Sequence, residues 1–238
     1  MKILVIETTG PMASVAWIDQ DRNVRERVND TRYSHLEELV PMIRSLMEES
    51  GLTPGDLDAL GVSRGPGSFT GVRIGMVTAK ALAQIWDKPI VEIPTLAAFA
   101  LQEAIAPGTL TVPVLDARRD QVYGGAWRRT GRFRIAEAIE EKAWDLETFL
   151  ALLHDRQQDG ECVVFCGDGV DAYQELLKRY PKPFRFAEGS ERNQRASSAA
   201  QLALNLYLEG RVTDAFHAAP VYLRQSEAER KLLEKCAK

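Results

Sequence analysis

The chain is poor in cysteine, in histidine and in long apolar runs, and each shortage closes off a class of function. Its 238 residues include three cysteines, Cys162, Cys166 and Cys236, an odd number with no C-x-x-C pair. A disulfide framework and a zinc knuckle are therefore not expected, and reduced thiols in a cytoplasmic setting are. Cys162 and Cys166 flank a strand pattern and are expected to be buried. The histidines are His35, His154 and His217, with no H-x-x-x-H or H-E-x-x-H among them. No metal-binding helix motif follows from that spacing. No G-x-S-x-G elbow occurs, and Ser68 has no base near it in sequence. The longest apolar runs, such as Ile3 to Ile6, fall far short of the roughly 18 residues that span a membrane. Lys2 leads straight into a strand that Glu7 interrupts, so no signal-peptide core is expected. Charge of one sign is also lacking: 30 basic against 34 acidic side chains leave a formal charge of -4. A generally cationic nucleic-acid surface is not expected; Arg128, Arg129, Arg132 and Arg134 offer one local basic edge.

What is present is an ordinary globular balance, 45% hydrophobic and 27% charged, enough for one large domain or two small ones. Strand patterns at Ile3 to Glu7, Ser14 to Asp19 and Val24 to Val28 open the chain, with Asp21-Arg22-Asn23 as a turn. A helix follows, with Ser34-x-x-Glu37 as a capping box and Leu36, Leu39, Val40, Ile43 and Met47 at helical spacing. Pro41 either kinks this helix or marks its start. Leu60 to Ser63 reads as a strand, Val72 to Trp86 as a helix, Ile90 to Ile93 as a strand and Thr95 to Ala106 as a helix. After Pro107-Gly108 the plan repeats. Val112 to Asp116, Gln121 to Trp127 and Phe133 to Ala138 read as strands, and Asp145 caps a helix running to Leu153. Val163 to Cys166, Asp171 to Arg179, Phe184 to Phe186 and Ser198 to Leu208 read as strand, helix, strand and helix. A short Val221 to Arg224 strand and a helix opened by Ser226-x-x-Glu229 end the chain. Two copies of βββ-α-β-α-β-α predict an α/β architecture of two mixed sheets covered by helices, with lobes at 1–107 and 108–238. The last helix has the option of packing back on the first lobe.

Three stretches carry candidate chemistry. Glu7-Thr8-Thr9 sits at the end of the first strand, where a carboxylate can hold a metal-bound water and nearby donors can meet a phosphate; an ordinary polar hairpin turn is the alternative. Arg64 to Gly75, RGPGSFTGVRIG, is rich in glycine before a helix. It lacks the Gly-Lys-Ser/Thr of a Walker loop, and its third glycine is one residue late for G-x-G-x-x-G. It is either an anion site at a helix start or a sharp turn that lets another surface approach closely. Asp116-Ala117-Arg118-Arg119 ends a strand, and Arg118 is a candidate phosphate ligand or an exposed turn arginine. Asp168 supports a strand-helix turn. The two helices flanking the glycine loop carry surplus apolar surface, the first over an arc of roughly 160° where about 100° suffices for a one-sided helix. The second is apolar nearly all round, as in a core helix or a subunit interface.

RGPGSFTGVRIG, with ILVIETT at the start, HLEELVPMI at His35 to Ile43, Asp116 to Arg119 with Val122-Tyr123, and Tyr222-Leu223-Arg224, closely resembles the TsaB (YeaZ) family along the whole chain. The resemblance implies an actin-like ATPase fold built from two ribonuclease-H-like lobes. It implies a non-catalytic subunit that docks TsaD, the chain that carries the metal and nucleotide, and supports threonylcarbamoyl transfer to adenosine in tRNA. TsaE, an ATPase, joins that cycle, and the family member pairs with itself when alone. The pairing surface it implies lies on the first two helices, at Leu36, Leu39, Val40, Met42, Ile43, Leu46, Val72, Met76, Ala79 and Lys80. No cofactor of its own is implied, with ATP or ADP at the complex interface and the nucleotide-facing candidates being Glu7, Thr8, Thr9 and Arg118. Where TsaD-like chains carry two metal histidines, this chain has Thr95 and Phe99. The family usually has aspartate where Glu7 stands, which displaces the carboxylate by about one methylene. The competing expectation is an independent nucleotide-dependent kinase or ATPase of the same fold.

Overall fold

A computed structural model of the chain describes residues 1–29, 35–118 and 121–224, with the side chain of His35 left aside. The Ser34 cap, the tail helix after Ser226, Arg119 and Cys236 lie outside the described residues. The first half runs β1 (Lys2–Glu7), β2 (Ser14–Asp19), β3 (Val24–Val28), α1 (His35–Glu49), β4 (Ala59–Gly65), α2 (Phe69–Trp86), β5 (Ile90–Pro94) and α3 (Thr95–Phe99). The second runs β6 (Leu110–Asp116), β7 (Gln121–Gly131), β8 (Arg134–Asp145), α4 (Leu146–Arg156), β9 (Val163–Cys166), α5 (Gly169–Ala172), α6 (Gln174–Leu177), β10 (Phe184–Phe186) and α7 (Ala196–Leu208).

Each half builds one five-stranded sheet with the same wiring. The orders are β3-β2-β1-β4-β5 and β8-β7-β6-β9-β10. In each sheet the first three strands pair antiparallel, and the fourth and fifth add parallel to the first. This mixed order, repeated twice, is the ribonuclease-H-like lobe duplicated into an actin-like architecture.

Strand alternation places the cores. Ile3 and Val5 of β1 face one side, Leu4 and Ile6 the other. The first side meets α3 and α7, and the same cluster takes in Leu115, Trp127, Val164 and Cys166 of the second sheet. The two sheets thus share one core around α3 and α7. The outer face of the first sheet is covered by α1 and α2, and that of the second by α4, α5 and α6. α1 runs through Pro41 and ends in a left-handed Gly51, with the Leu52 N–H returning to the Met47 carbonyl. Asp145 caps α4 by accepting from the Thr148 N–H at 2.9 Å.

Several elements differ from the sequence reading. The helix expected over Thr95 to Ala106 stops at Phe99, and residues 100–105 continue as turns closed by three-residue hydrogen bonds. Those turns leave the Gln102 and Ile105 carbonyls to accept from the buried Arg129 guanidinium. The helix expected over Asp171 to Arg179 is broken at Tyr173, whose hydroxyl reaches Asp116 Oδ1 at 3.0 Å. β7 and β8 form a hairpin longer than expected, and no strand forms at 221–224. Cys166 is buried as expected, but Cys162 is exposed. The basic edge does not assemble. Arg128 pairs with Glu161 at 2.8 Å, and Arg129 turns inward onto three carbonyls.

Residues 209–224 leave α7 and form a strap along the first lobe. Thr213 bridges Ile90 through two hydrogen bonds of 2.8 Å, Ala219 N donates to Glu92 Oε1 at 2.9 Å, and Val221 N donates to the Arg64 carbonyl at 2.8 Å.

Candidate functional site

Glu7 ends β1, and its carboxylate is buried. Thr9 donates to Oε1 twice, from its backbone N–H at 2.6 Å and from its hydroxyl at 2.5 Å. The Ser63 hydroxyl, at the end of neighbouring β4, donates to Oε2. Burial pushes the Glu7 carboxyl above its ordinary range, and the Ser63 and Thr9 hydrogen bonds oppose that rise. The carboxylate is thus held by the chain's own donors.

The glycine loop closes over this turn. Thr8 Oγ1 donates to the Gly71 carbonyl at 2.8 Å, and Ser68 N donates to the Thr9 carbonyl at 2.8 Å. A β-carbon at Gly67 would stand 2.5 Å from the Thr9 carbonyl oxygen, so only glycine allows this approach. Ser68 caps α2 by accepting from the Gly71 N–H at 3.3 Å. Of the two readings of RGPGSFTGVRIG, the geometry matches the close approach of another surface. That surface is the β1–β2 turn.

The second lobe repeats the turn. Asp116 ends β6 as Glu7 ends β1, and Arg118 N donates to Asp116 Oδ1 at 2.7 Å, as Thr9 N does to Glu7. Asp116 N donates in turn to Asp168 Oδ1 at 3.1 Å. Burial pushes the Asp168 carboxyl up, opposed by that N–H and reinforced by the Asp116 charge. Arg118 has a left-handed backbone (φ 62°) and an exposed side chain. No hydrogen bond or ion pair among the described residues joins it to Glu7, Thr8 or Thr9. Thr95 and Phe99 are wholly buried in α3, and no cluster of three metal-ligating side chains occurs among the described residues. A phenyl ring and a core hydroxyl do not fit a metal.

The ten expected pairing residues divide sharply. Leu39, Met42, Ile43 and Leu46 of α1 and Val72, Met76 and Ala79 of α2 fill the lobe's own core. Lys80 donates to the strap carbonyls of Ala218 at 2.9 Å and Phe216 at 3.3 Å. Leu36 and Val40 alone of the ten stand out as exposed apolar groups, at 77% and 51%. Val77 and Ile85 of α2, at 66% and 76%, join them. The expectation that α2 is buried on more than one side does not hold within the chain. The full set of exposed large apolar side chains among the described residues is Leu36, Val40, Phe69, Val77, Ile85, Leu208, Val212, Phe216 and Tyr222. All lie on α1, on α2, at the end of α7 or on the strap; residues 110–195 contribute none. Val77, Ile85 and Phe216 are not among the ten; the surplus apolar arc of α2 already contained the first two.

A two-lobed actin-like chain, with its first strand-turn sealed by a glycine loop and with the exposed large apolar side chains among the described residues confined to α1, α2, the end of α7 and the strap, is the class this geometry defines. Comparison with known proteins narrows it. A family model described as TsaD, tRNA N6-adenosine threonylcarbamoyltransferase, matches residues 29–232. The tRNA threonylcarbamoyladenosine biosynthesis protein TsaB of Escherichia coli K12 is 32% identical over 241 residues, covering 98% of each chain. The protein of the same description from Bacillus subtilis 168 is 29% identical, covering 98% of this chain and 99% of that one. A solved structure described as YeaZ from Pseudomonas aeruginosa superposes with a TM-score of 0.78 at 27% identity, covering 93% of this chain and 99% of that one. The transferase of Erythrobacter litoralis, by contrast, is 41% identical over 80 residues that make up 23% of its length. The chain belongs to the TsaB family, within the wider group that the TsaD family model describes.

Proposed function

We propose that the chain is a non-catalytic partner subunit in tRNA threonylcarbamoyladenosine biosynthesis. It docks the TsaD transferase and supports threonylcarbamoyl transfer to adenosine in tRNA. The carrying observation is the confinement of every exposed large apolar side chain among the described residues to α1, α2 and the segment from Leu208 to Tyr222. Exposed apolar side chains gathered on a few elements mark a candidate interaction surface, and burial of apolar area at roughly 25 cal/mol per Å2 would supply the gross drive for docking. The pairing residues are then Leu36 and Val40 on α1 with Val77 and Ile85 on α2. The expected residues Leu39, Met42, Ile43, Leu46, Val72, Met76 and Ala79 support that face from beneath.

The chain pairs with itself through the same face when TsaD is absent, and TsaE and tRNA meet it only in the assembly. It needs no cofactor of its own; ATP or ADP binds at the interface with TsaD. The competing reading, an independent kinase or ATPase, asks Glu7, Thr8 and Thr9 to meet a phosphate. Their polar groups are engaged with Ser63, Gly71, Ser68 and one another. The test is to mix the purified chain with its own organism's TsaD, follow mass by light scattering, and assay transfer with and without the chain. A stable complex on which transfer depends supports the proposal. No complex, with TsaD fully active alone, sinks it.

A further inference from the structure

The bonds that join the two lobes gather at opposite ends of their strands. The turns after Glu7 and Asp116 mark one end, and Lys2 and Leu110 mark the other. The steps from Lys2 to Glu7, at about 3.3 Å each, set the two ends roughly 16 Å apart. At the Lys2 end stand the β2–β3 turn, beside Asp19, and the tip of the β7–β8 hairpin, beyond the Leu110–Arg128 pair. Arg22 of that turn joins them. Its Nη1 donates to Gln201 Oε1 at 3.0 Å and its Nη2 to Asn205 Oδ1 at 2.6 Å, both on α7. Its guanidinium also lies 4.3 Å over the ring of Phe133 at the hairpin tip. Asn205 Nδ2 closes the circuit by donating to the Phe133 carbonyl at 2.7 Å. At the Glu7 end, Arg224 donates to the Ala117 and Arg118 carbonyls of the second-lobe turn. The strap that carries Arg224 is bonded to the first lobe at Ile90, Glu92 and Arg64, so Arg224 is an arm of the first lobe. Between the two ends runs the shared core, where Leu96, Phe99 and Ala100 lie in one buried cluster with Leu115, Trp127 and Val164.

We infer that the Arg22 and Arg224 clasps lock the two lobes into one rigid body with a fixed angle between them. The inference stands or falls apart from the partner-subunit reading. A single clasp would leave the far end of the interface free to swing, whereas two hold both ends. Twisting about the line through the clasps is resisted by the core between them, since a close-packed interior cannot rotate without opening voids around Phe99 and Leu115. A planar guanidinium held by two acceptors also fixes direction as well as distance. Chains that close one domain on another absorb the movement in a few loop or element-terminal residues. Here both chain crossings between the lobes are themselves tied down. The first, after α3, gives its Gln102 and Ile105 carbonyls to Arg129 of β7, and its Gly108 N–H to the Arg129 carbonyl at 2.8 Å. The second, before α7, accepts at the Arg192 carbonyl from Gly167 N at 2.8 Å on the second-lobe side. On the first-lobe side its Asn193 carbonyl accepts from Gln102 Nε2 at 2.9 Å, and Arg195 pairs with Glu26 of β3 at 2.8 Å. Surfaces carried by different lobes therefore keep a constant spacing.

The test is the distance between spin labels placed in the full chain at Glu48→Cys on α1 and Ala151→Cys on α4, both exposed positions. Cys162 and Cys236 are replaced by serine and the buried Cys166 is kept. Labelled chain is diluted in unlabelled chain, so that only distances within one molecule are read. A lobe rotation of about 15° moves a label ~20 Å from the pivot by roughly 5 Å, a shift this measurement resolves. With the clasps intact, the chain alone is expected to give one narrow distance, unshifted when the purified transferase is added. Arg22→Ala combined with Arg224→Ala is expected to broaden the distance or shift it by that much. A broad or two-peaked distance with the clasps intact, or a shift on adding the transferase, overturns the inference. A double variant as narrow as the chain with both arginines overturns the role of the clasps. If circular dichroism shows that the double variant does not fold, Arg224→Ala alone is measured, and an unbroadened distance there has the same force. Failure to bind the transferase sinks the docking reading and leaves this inference to the width measured on the chain alone.

Discussion

Gly75 lies directly under Thr8: a β-carbon on it would overlap the Thr8 hydroxyl, the group that donates to the Gly71 carbonyl at 2.8 Å. The second turn of α2 is thereby pressed against the first strand-turn of the chain. Gly75→Ala must displace either the helix or the Thr8 hydroxyl. Overpacking of this kind costs about 1–3 kcal/mol, and a chemical-denaturation midpoint should fall accordingly. An unchanged midpoint would mean that α2 is free to shift.

Ser63→Ala removes one of the donors that hold the Glu7 carboxylate. A buried hydrogen bond to a charged group is worth about 1.5–3 kcal/mol. The lost donor favours the ionised form over the protonated one, so the penalty should grow as pH rises through the raised Glu7 titration. A penalty that stays constant across the pH range would mean that Glu7 does not change its protonation state within it.

Burial pushes the Glu141 carboxyl up from 4.5 to about 6, against the pull of Arg64 and with the repulsion of Glu137 adding to the rise. The folded chain thus holds this proton more tightly than the unfolded chain does. The stability it contributes is complete below about pH 4.5 and is lost as pH rises through about 6. Glu141→Gln should therefore be the more stable form above pH 6, by up to about 2 kcal/mol, with the difference closing below pH 4.5. Thermal melts of both forms across that range check the sign.

The buried Arg129 guanidinium joins β7 to the crossover between the lobes through the carbonyls of Gln102, Ile105 and Arg132. Arg129→Ala takes this donor from the Ile105 and Arg132 carbonyls, while the Gln102 carbonyl keeps the Ile105 N–H, and opens a cavity, at an expected cost of about 3 kcal/mol or more. Lysine should rescue this only in part, since a single ammonium cannot replace the planar fork. Denaturant titration of the two variants measures both effects; full rescue by lysine would show that charge alone suffices.

On the docking face, Val77→Asp and Val40→Asp place a charge where a partner must remove water. Each should weaken association with the transferase by at least about tenfold, with little change in the stability of the isolated chain. Calorimetric titration against the transferase decides it. The same test on Leu39→Asp should instead unfold the first lobe, because Leu39 is 1% exposed.

The duplicated plan was legible because each strand and most helices declare themselves locally. Alternating Ile3 to Ile6, the Asp145 cap and the glycine loop before Val72 each stand within a few residues of the structure they form. The face proposed for pairing was legible only in outline. Helical periodicity showed that α1 and α2 carry more apolar surface than one contact needs. It did not show which half meets the sheet, and seven of the ten residues assigned to pairing are buried in the core. The broken helix at Tyr173 and the turns after Phe99 were not legible at all. At each of them a partner distant in sequence is engaged, Asp116 by the Tyr173 hydroxyl and Arg129 by the Gln102 carbonyl.

The sequence by itself determined the two-lobe α/β architecture and the family, since strand alternation, helical period and glycine placement act over short spans of chain. Tertiary structure alone decided how the polar groups are used. Thr8 meets Gly71 across 63 residues, and Arg224 reaches Ala117 across 107. Such pairings depend on how the closed lobes bring distant backbones together, and no local pattern of residues encodes that geometry.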